Sequence, residues 1–353
     1  MTDWVEVRAG KQAFQHIQEH GLQPDDIQLM LGASGGPKWF ILQGFDNFLF
    51  GDYFKRRATP LNLLGTSAGA WRFASLGQAD PVAASRQFSE LYRATVYSAK
   101  PDVEEITDKA IELLQTYVTD EAVDQILSQT DYRHHMIVAR SKGIAALENR
   151  FAQGLGLVAA ATANIVKRKY LGHHFDRVVF HHPASKPLGK SWNDLPTRHV
   201  ELTHDNFRHA LLATGSIPMV LAGVKDIPGA PRGMYRDGGV TDYHFDLDLS
   251  EQQGLILYPH FQREVIPGWF DKKLNRRSTG ALWPQMINIV PTQEFIDRLP
   301  YGKIPDRNDF ANLDSGARQA YWQKATDAGY EMAEQFATWL ENGELSQRVK
   351  LWS

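Results

Sequence analysis

The sequence contains no cysteine, no marked excess of either charge and no long apolar run. The lack of cysteine excludes disulfides and thiolate chemistry. The formal net charge is -3, so no basic excess is present to neutralise phosphates, which argues against a nucleic-acid-binding protein. No uninterrupted apolar stretch reaches the length of about 18 residues that a membrane-spanning helix needs. The sequence therefore predicts a globular protein that neither binds nucleic acid nor spans a membrane.

The beginning of the sequence also lacks the pattern of a secretory signal. Residues 1–15 include Asp3 and Glu6 and contain no apolar core of the kind that a signal peptide needs. Because the absence of cysteine is compatible with a reducing compartment, we expect a cytoplasmic location.

The size and composition of the chain predict one domain. It has 353 residues, of which 43% are apolar and 22% charged, so it can bury a sizeable core. The linker-like stretches 186–196 and 223–235 have the composition of loops within a domain. We therefore expect a single domain over residues 1–353.

Short apolar segments alternate with longer stretches of helical spacing. The apolar segments cover residues 27–31, 61–65, 135–139, 177–181, 199–203, 254–258 and 287–291. Helical spacing follows Asp80, over residues 81–99, and Val103, over residues 104–118. This alternation predicts a three-layer α/β/α fold with a mainly parallel central sheet. Sites in such sheets form at the carboxyl ends of strands, so residues 32–38 and 65–69 would share one edge if their strands are parallel neighbours.

The C-terminal third carries a long helical pattern that begins at Ser315. We expect this helix and the strands before it, over residues 254–342, to pack on the rest of the domain. Its aromatic residues would bury one face of the helix, although an aromatic substrate platform is an alternative. These residues are Tyr321, Trp322, Tyr330, Phe336 and Trp339.

The first candidate for catalysis is a serine in a Gly-x-Ser-x-Gly motif. The mostly apolar residues 61–64 lead directly into Gly65, Thr66, Ser67, Ala68 and Gly69. A serine between glycines at the end of a strand can lie on a sharp strand-to-helix turn that exposes its hydroxyl. Ser67 is therefore a candidate nucleophile. The alternative is a glycine-rich turn whose serine only caps the next helix.

A glycine-rich turn at residues 32–36 precedes a second amphipathic segment. Backbone amides of Gly35 and Gly36 can point into a cavity, and the start of a helix favours negative charge, so both are candidate oxyanion donors. A phosphate-binding loop is the rival interpretation. The sequence lacks its Gly-x-x-x-x-Gly-Lys-Ser/Thr pattern, because Lys38 follows Gly36 and Pro37 and precedes Trp39.

The third motif is Asp237-Gly238-Gly239 at the end of a short extended run. A carboxylate within hydrogen-bond reach of a serine can act as its general base. The alternative is a structural turn, since Asp-Gly is a common turn sequence.

In this order, the three motifs resemble the patatin-like phospholipase family, whose members are acyl hydrolases with a Ser–Asp dyad. The resemblance extends over about residues 27–245 and includes the helix-and-turn block 211–224 that precedes the aspartate. It implies a patatin-like fold for the chain. It also implies cleavage of lipid or other carboxylic esters, with an apolar pocket for the acyl group and no metal or organic cofactor.

The resemblance also implies roles for individual residues. Ser67 matches the nucleophile and Asp237 the general base, while Gly35, Gly36 and Lys38 match part of the oxyanion loop and its basic residue. The glycines of the two other motifs, Gly65, Gly69, Gly238 and Gly239, would support these positions.

This chain departs from the family pattern at two places. Ser34 stands where the family has a glycine, and Trp39 stands at the last glycine of the loop, so we expect a less free loop with a more crowded mouth. After Asp-Gly-Gly, Tyr243 and His244 lie where relatives often carry an Asn–Pro element. We expect these departures to affect substrate preference.

Two other functions are compatible with the sequence. The first is a Ser–His–Asp esterase of the α/β-hydrolase type, because His244 and His260 both follow Asp237. The second is a lipid-binding or interaction protein without catalysis, which an obstructing Trp39 would favour. We assign no metal, since the adjacent histidines at 134–135, 173–174 and 181–182 would point to opposite faces of a strand.

Residues 263–284 predict peripheral contact with a membrane. They interleave aromatic and basic side chains, a combination that can hold a protein at an anionic lipid surface. The residues concerned are Trp269, Phe270, Leu274 and Trp283, with Lys272, Lys273, Arg276 and Arg277. The alternative is a solvated loop with its aromatic rings in the core.

Overall fold

A computed structural model describes residues 3–276 and 283–352 of the chain. In this part, eleven strands form one sheet. They are β1 Val5–Ala9, β2 Ile27–Gly32, β3 Leu61–Thr66, β4 Tyr132–Ser141, β5 Phe175–His181, β6 Thr197–Glu201, β7 Val224–Lys225, β8 Met234–Arg236, β9 Leu255–Pro259, β10 Met286–Pro291 and β11 Lys350–Leu351. Each apolar segment predicted to be extended is a strand, with bounds that differ by a few residues.

Helices flank this sheet. The α-helices are α1 Lys11–His20, α2 Gln43–Gly51, α3 Ala68–Leu76, α4 Pro81–Ala94, α5 Val103–Tyr117, α6 Asp120–Ser128, α7 Arg150–Val166, α8 His204–Gly215, α9 Gln293–Arg298, α10 Asp309–Asn312, α11 Ser315–Glu341 and α12 Leu345–Arg348. Short 3₁₀ helices cover Pro24–Asp26, Gly36–Leu42, Tyr53–Arg56, Gly143–Ala146, Arg168–His173, Gly238–Val240, Trp269–Asp271 and Pro300–Gly302.

The centre of the sheet is parallel, as predicted. Its strand order is β11-β1-β10-β9-β2-β3-β4-β5-β6, and the run from β10 to β4 is parallel throughout. Antiparallel pairs occur toward the margins, where β1 pairs with β10 and β4 with β5. The predicted α/β fold with a mainly parallel sheet between helices is therefore confirmed. Gly32 of β2 lies opposite Gly65 of β3, so the two glycine-containing turns do leave the same edge of the sheet.

One strand arrangement places the ends of two distant segments together. On one flank of β4, β3 runs parallel and ends with Thr66 opposite Ile137. Beyond that point, the same flank is occupied by β8, which runs antiparallel and ends with Arg236 opposite Ala139. Because the two strands run toward each other, their carboxyl ends meet head-on beside the middle of β4.

Local sequence explains where the main helices begin. Asp80 caps α4 by accepting a hydrogen bond from the Ala83 amide at 3.0 Å, and Asp314 caps α11 through the Ala317 amide at 2.9 Å. The predicted burial of aromatic residues along α11 is confirmed for Tyr321, Trp322, Phe336 and Trp339, and Tyr330 is half-buried.

Two predicted helices differ from their expected form. Helix α4 ends at Ala94 instead of continuing to residue 99, and the buried Arg318 of α11 donates hydrogen bonds to the carbonyls of Arg93 and Thr95 at that end. The helix after the glycine-rich turn begins as a 3₁₀ helix, Gly36–Leu42, before α2 continues it.

No helix in residues 3–276 or 283–352 combines the length and the apolarity needed to cross a membrane.

Candidate active site

Ser67 lies on the sharp turn between β3 and α3. Its backbone angles are φ 50° and ψ -128°, a conformation that non-glycine residues adopt only under strain. Such strain is typical of a nucleophile held at a strand-to-helix turn, where the side chain projects away from the backbone. The sequence motif therefore has the local geometry that it predicts.

The glycines around Ser67 allow α3 to approach the sheet closely. A Cβ atom on Gly69 would overlap the backbone of Gly32 in β2. A Cβ atom on Gly65 would lie 2.6 Å from the amide nitrogen of Ala70. Because both neighbours are backbone atoms that cannot move aside, larger residues at 65 or 69 would displace α3 and the serine at its start.

Asp237 follows β8 and lies beside Ser67. The Ser67 hydroxyl donates a hydrogen bond to Asp237 Oδ2 at 2.8 Å, and the amide of Gly239 donates to Asp237 Oδ1 at 2.6 Å. Both side chains are buried. The head-on ends of β3 and β8 bring these two residues together, although they are far apart in the sequence. A Cβ atom on Gly238 would overlap the Ile137 carbonyl, so only glycine fits directly after the aspartate.

The end of α8 holds the backbone of both residues. Thr214 Oγ1 accepts a hydrogen bond from the Ser67 amide at 2.9 Å and donates one to the Ile137 carbonyl at 2.6 Å. The amide of Asp237 donates to the carbonyl of Ser216 at 2.9 Å. Sequence reasoning singled out residues 211–224 as a block but did not identify Thr214. No local signal distinguishes this threonine from others.

Burial sets the protonation of Asp237. Loss of solvent raises the pKa of its carboxyl to about 6, although the hydrogen bonds from Ser67 and Gly239 favour the ionised form. At neutral pH the group is mostly ionised and is a stronger base than an exposed aspartate. A carboxylate of this kind can accept a proton from the serine to which it is bonded.

Gly35 and Gly36 line a small cavity of about 50 Å³ together with Ser67 and Asp237. Gly36 has a φ of +57°, a left-handed conformation that favours glycine. Among the backbone hydrogen bonds of turns, loops and helix caps in residues 3–276 and 283–352, none is donated by the amide of Gly35 or Gly36. Their position beside the serine is compatible with the predicted binding of an oxyanion.

Ser34, the first departure from the family pattern, is buried between the other motifs. Its amide donates to the Tyr243 carbonyl at 3.0 Å, and its hydroxyl lies 3.5 Å from Thr66 Oγ1. A Cβ atom on Gly239 would overlap this hydroxyl, so the glycine of the aspartate motif makes room for the serine.

Two cations line the small cavity, and the sequence did not predict either of them there. They are Lys272 and Arg307, and no acidic residue within residues 3–276 or 283–352 forms an ion pair with either side chain. Burial, reinforced by the nearby Arg307, lowers the pKa of Lys272 to about 8, and its ammonium lies 3.9 Å from the centre of the Tyr243 ring. Lys38 instead donates to Gln262 at 3.2 Å and does not line this cavity.

A second cavity, which is mainly apolar, adjoins the first and shares Gly36, Ser67, Ile217 and Arg307 with it. It has a volume of about 410 Å³, within the usual range of about 300–1,000 Å³ for ligand pockets. Its lining includes Trp39, Trp71, Phe88, Leu113 and Val220. The apolar pocket expected beside the serine is therefore present, while the cationic cavity next to it was not predicted.

Trp39 does not obstruct the dyad cavity. Its ring is buried and stacks on Phe88 with ring centres 4.8 Å apart and an interplanar angle of 8°. It forms part of the wall of the apolar cavity, so the expected crowding at the mouth of the loop is not observed.

The two histidines of the alternative triad lie away from the serine hydroxyl. His244 Nδ1 accepts a hydrogen bond from the Ile266 amide at 3.0 Å, and His260 Nδ1 accepts one from the Gln262 amide. Burial lowers the pKa of both, to about 3 for His260, so both are neutral at neutral pH. Neither lines the cavities beside Ser67, and these contacts give the triad no support.

The aromatic residues of segment 263–284 do not form an exposed face. Trp283 is buried and its indole donates to the Leu247 carbonyl at 2.8 Å. Trp269 and Phe270 are half-buried, and Trp269 lines the dyad cavity. Residues 277–282, including Arg277, lie outside the described residues.

No protein-family model and no curated protein sequence matches the chain. Among solved structures it is similar to VipD from Legionella pneumophila, with 12% sequence identity, a TM-score of 0.40, and coverage of 97% of this chain and 70% of VipD. It is also similar to human GIVD cytosolic phospholipase A2, with 13% identity, a TM-score of 0.37, and coverage of 95% and 62%. With TM-scores below 0.5, these similarities assign neither a family nor an activity.

Proposed function

We propose that the chain is a serine acyl hydrolase of the patatin-like type that cleaves lipid or other carboxylic esters. The observation that carries this proposal is the 2.8 Å hydrogen bond between Ser67 and Asp237 at the junction of two cavities. The strained backbone of Ser67 and the motif resemblance support the same conclusion.

The proposed reaction has two steps. Asp237 accepts the proton of Ser67 as the hydroxyl oxygen attacks the ester carbonyl carbon, and the amides of Gly35 and Gly36 stabilise the oxyanion. The bond to the alcohol then breaks, and the leaving oxygen takes the proton from Asp237. Water, activated by the same carboxylate, attacks the acyl-enzyme, releases the acid and restores the serine.

The two cavities suggest how a substrate is bound. The apolar cavity suits an acyl chain, since its walls are largely aromatic and aliphatic. The small cavity suits a polar group next to the ester, and the positive charges of Lys272 and Arg307 favour an anionic group there.

Hydrolysis of p-nitrophenyl esters with acyl chains of increasing length tests the proposal. Wild type is compared with Ser67→Ala, Asp237→Asn, His244→Ala and His260→Ala, and a fluorophosphonate probe reports serine reactivity independently. We expect turnover and labelling to be lost in Ser67→Ala, turnover to fall at least about 100-fold in Asp237→Asn, and the histidine variants to remain active.

Two outcomes would contradict the proposal. Essential dependence on one histidine would assign the protein to the Ser–His–Asp class. A folded wild type that neither hydrolyses the esters nor reacts with the fluorophosphonate would favour a lipid-binding protein without catalysis.

A further inference from the structure

Helix α7 has the reverse of the usual arrangement of polar and apolar residues. Between Arg150 and Lys167 it contains no charged residue. Its inward side carries Gln153, Gly156, Ala160 and Asn164, which are buried. The large apolar side chains point outward, although water-exposed faces of helices are normally polar.

The outward residues form a continuous apolar stripe, which we call the α7 face. It consists of Phe151, Leu155, Val158 and Ile165, whose spacings of three, four and seven residues place them on one side of a helix. Their exposed fractions are 77%, 51%, 65% and 58%. A contiguous patch of exposed apolar side chains marks a surface that binds another protein or a membrane.

The buried polar residues of α7 connect it to the walls of the dyad cavity. Gln153 accepts a hydrogen bond from the amide of Met219 at 3.0 Å, directly after Ile217 and Pro218 in the cavity lining. Asn164 donates to Asp271 at 2.8 Å, and its neighbour Lys272 lines the same cavity. Helix α7 therefore packs on two of the segments that line the dyad cavity.

Basic residues bound the α7 face at both ends. Arg150 begins the helix, and Lys167 and Lys169 follow it; all three are exposed. None of them forms an ion pair with an acidic residue in the part of the chain that the structure describes. The neighbouring Glu148 is engaged with Arg236, so its charge is compensated. An apolar stripe with cations at both ends is complementary to a surface that has an apolar interior beneath an anionic outer layer.

We propose that the α7 face docks on an anionic lipid surface, with its apolar side chains among the acyl chains and Arg150, Lys167 and Lys169 at the head groups. A second copy of the chain is a poorer fit. If two α7 helices pair antiparallel, Arg150 of one meets Lys167 of the other, and if they pair parallel, like residues meet. Both arrangements place cations together without an acidic partner.

Vesicle co-sedimentation tests this docking without any need for turnover, so it does not depend on the proposed hydrolase activity. Wild type is incubated with vesicles of equimolar phosphatidylcholine and phosphatidylglycerol, and separately with phosphatidylcholine alone. The test variant combines Phe151→Gln, Val158→Gln and Ile165→Gln, which keep helix propensity but remove apolar surface. The matched control combines Phe151→Leu, Val158→Leu and Ile165→Leu, and Leu351→Gln changes an exposed apolar residue elsewhere.

We expect wild type to bind the anionic vesicles more tightly than the neutral ones and to lose binding as salt is raised. The glutamine variant should bind at least about tenfold more weakly, while both controls bind like wild type. Far-UV circular dichroism and thermal melting confirm that each variant is folded.

Three results would overturn the proposal. The first is a wild type that does not sediment with anionic vesicles. The second is a folded glutamine variant that binds as tightly as wild type. The third is a wild-type dimer, seen by sedimentation velocity, that dissociates in the glutamine variant and in no control, since the α7 face would then be covered by a second copy.

Discussion

The hydroxyl of Thr214 accepts the hydrogen bond of the Ser67 amide at 2.9 Å. This contact fixes the first residue of the strained turn, because the same hydroxyl is anchored on the Ile137 carbonyl of β4 at 2.6 Å. Thr214 is thus a positioning residue for the proposed nucleophile and does not itself line either cavity.

Replacing Thr214 with valine should therefore reduce turnover more than substrate binding. Valine keeps the shape but leaves the Ser67 amide and the Ile137 carbonyl without this partner, at a cost of about 1–3 kcal/mol in the free energy of unfolding. We expect kcat for a p-nitrophenyl ester to fall about tenfold or more with little change in KM. Thr214→Ser, which keeps the hydroxyl, should restore most of kcat. Equal losses in the two variants would contradict this role.

The pH dependence of kcat/KM should report the ionisation of Asp237. The carboxyl must be ionised to accept the serine proton, and its pKa is raised to about 6 by burial. For a neutral ester, kcat/KM should rise with pH and reach half its maximum near pH 6. Steady-state kinetics across the pH range, with circular dichroism at each pH, separate this ionisation from unfolding. A midpoint near the ordinary aspartate value would contradict the assignment.

The same pKa shift predicts that Asp237 costs stability. Its folded-state pKa is raised above the ordinary value of 3.8, so the folded protein binds more protons than the unfolded chain between about pH 4 and 6. The contribution to the free energy of unfolding therefore declines as pH rises through this window. Asp237→Asn should be about 1–3 kcal/mol more stable than wild type at pH 8 and close to it at pH 4. Urea unfolding at both pH values measures the difference, and equal differences at the two would contradict the prediction.

The cations of the small cavity should discriminate between substrates by charge. We expect Arg307→Gln and Lys272→Met to lower kcat/KM for an ester with a carboxylate or phosphate near the scissile bond about three- to tenfold. Neutral esters should be nearly unchanged at pH values where Asp237 is ionised, since both charges also lower the pKa of that carboxyl. Lys273→Met is the matched control, because Lys273 is exposed and does not line the cavity.

The pKa of Lys272, lowered to about 8, adds a pH signature. With the anionic ester, kcat/KM should fall above pH 8 as the ammonium loses its proton, and Lys272→Met should remove that fall. The same decline with neutral esters would show that Lys272 does not act on substrate charge.

The strands and two motif residues could be predicted because their signals are local. An apolar run such as residues 61–65 indicates a buried strand whatever lies around it, and the glycines beside Ser67 and Asp237 mark positions where only a small residue fits. The alternation of strands and helices predicted a mainly parallel sheet, and the structure shows that β2 and β3 are parallel neighbours in it.

Other features depend on contacts between distant segments and carry no local signal. Thr214, Lys272 and Arg307 lie at the site but come from three separate parts of the chain, and nothing in the sequence around them indicates this position. Trp39 was expected at the mouth of the loop, but stacking on Phe88 directs it into the apolar wall. For α7, the apolar residues of a helix are ordinarily assigned to the core, and here they face outward.

The meeting of β3 and β8 beside β4 also has a kinetic consequence. The residues joined by the Ser67–Asp237 hydrogen bond are 170 positions apart. This contact can form only after the intervening strands have paired and α8 has packed on the sheet. Contacts of such long sequence separation are costly in loop-closure entropy, so we expect this one to form late in folding. During refolding, the reactivity of Ser67 toward a fluorophosphonate should return in the slowest phase, after secondary structure has recovered. The rate at which this reactivity returns then measures how fast the native arrangement of strands is completed.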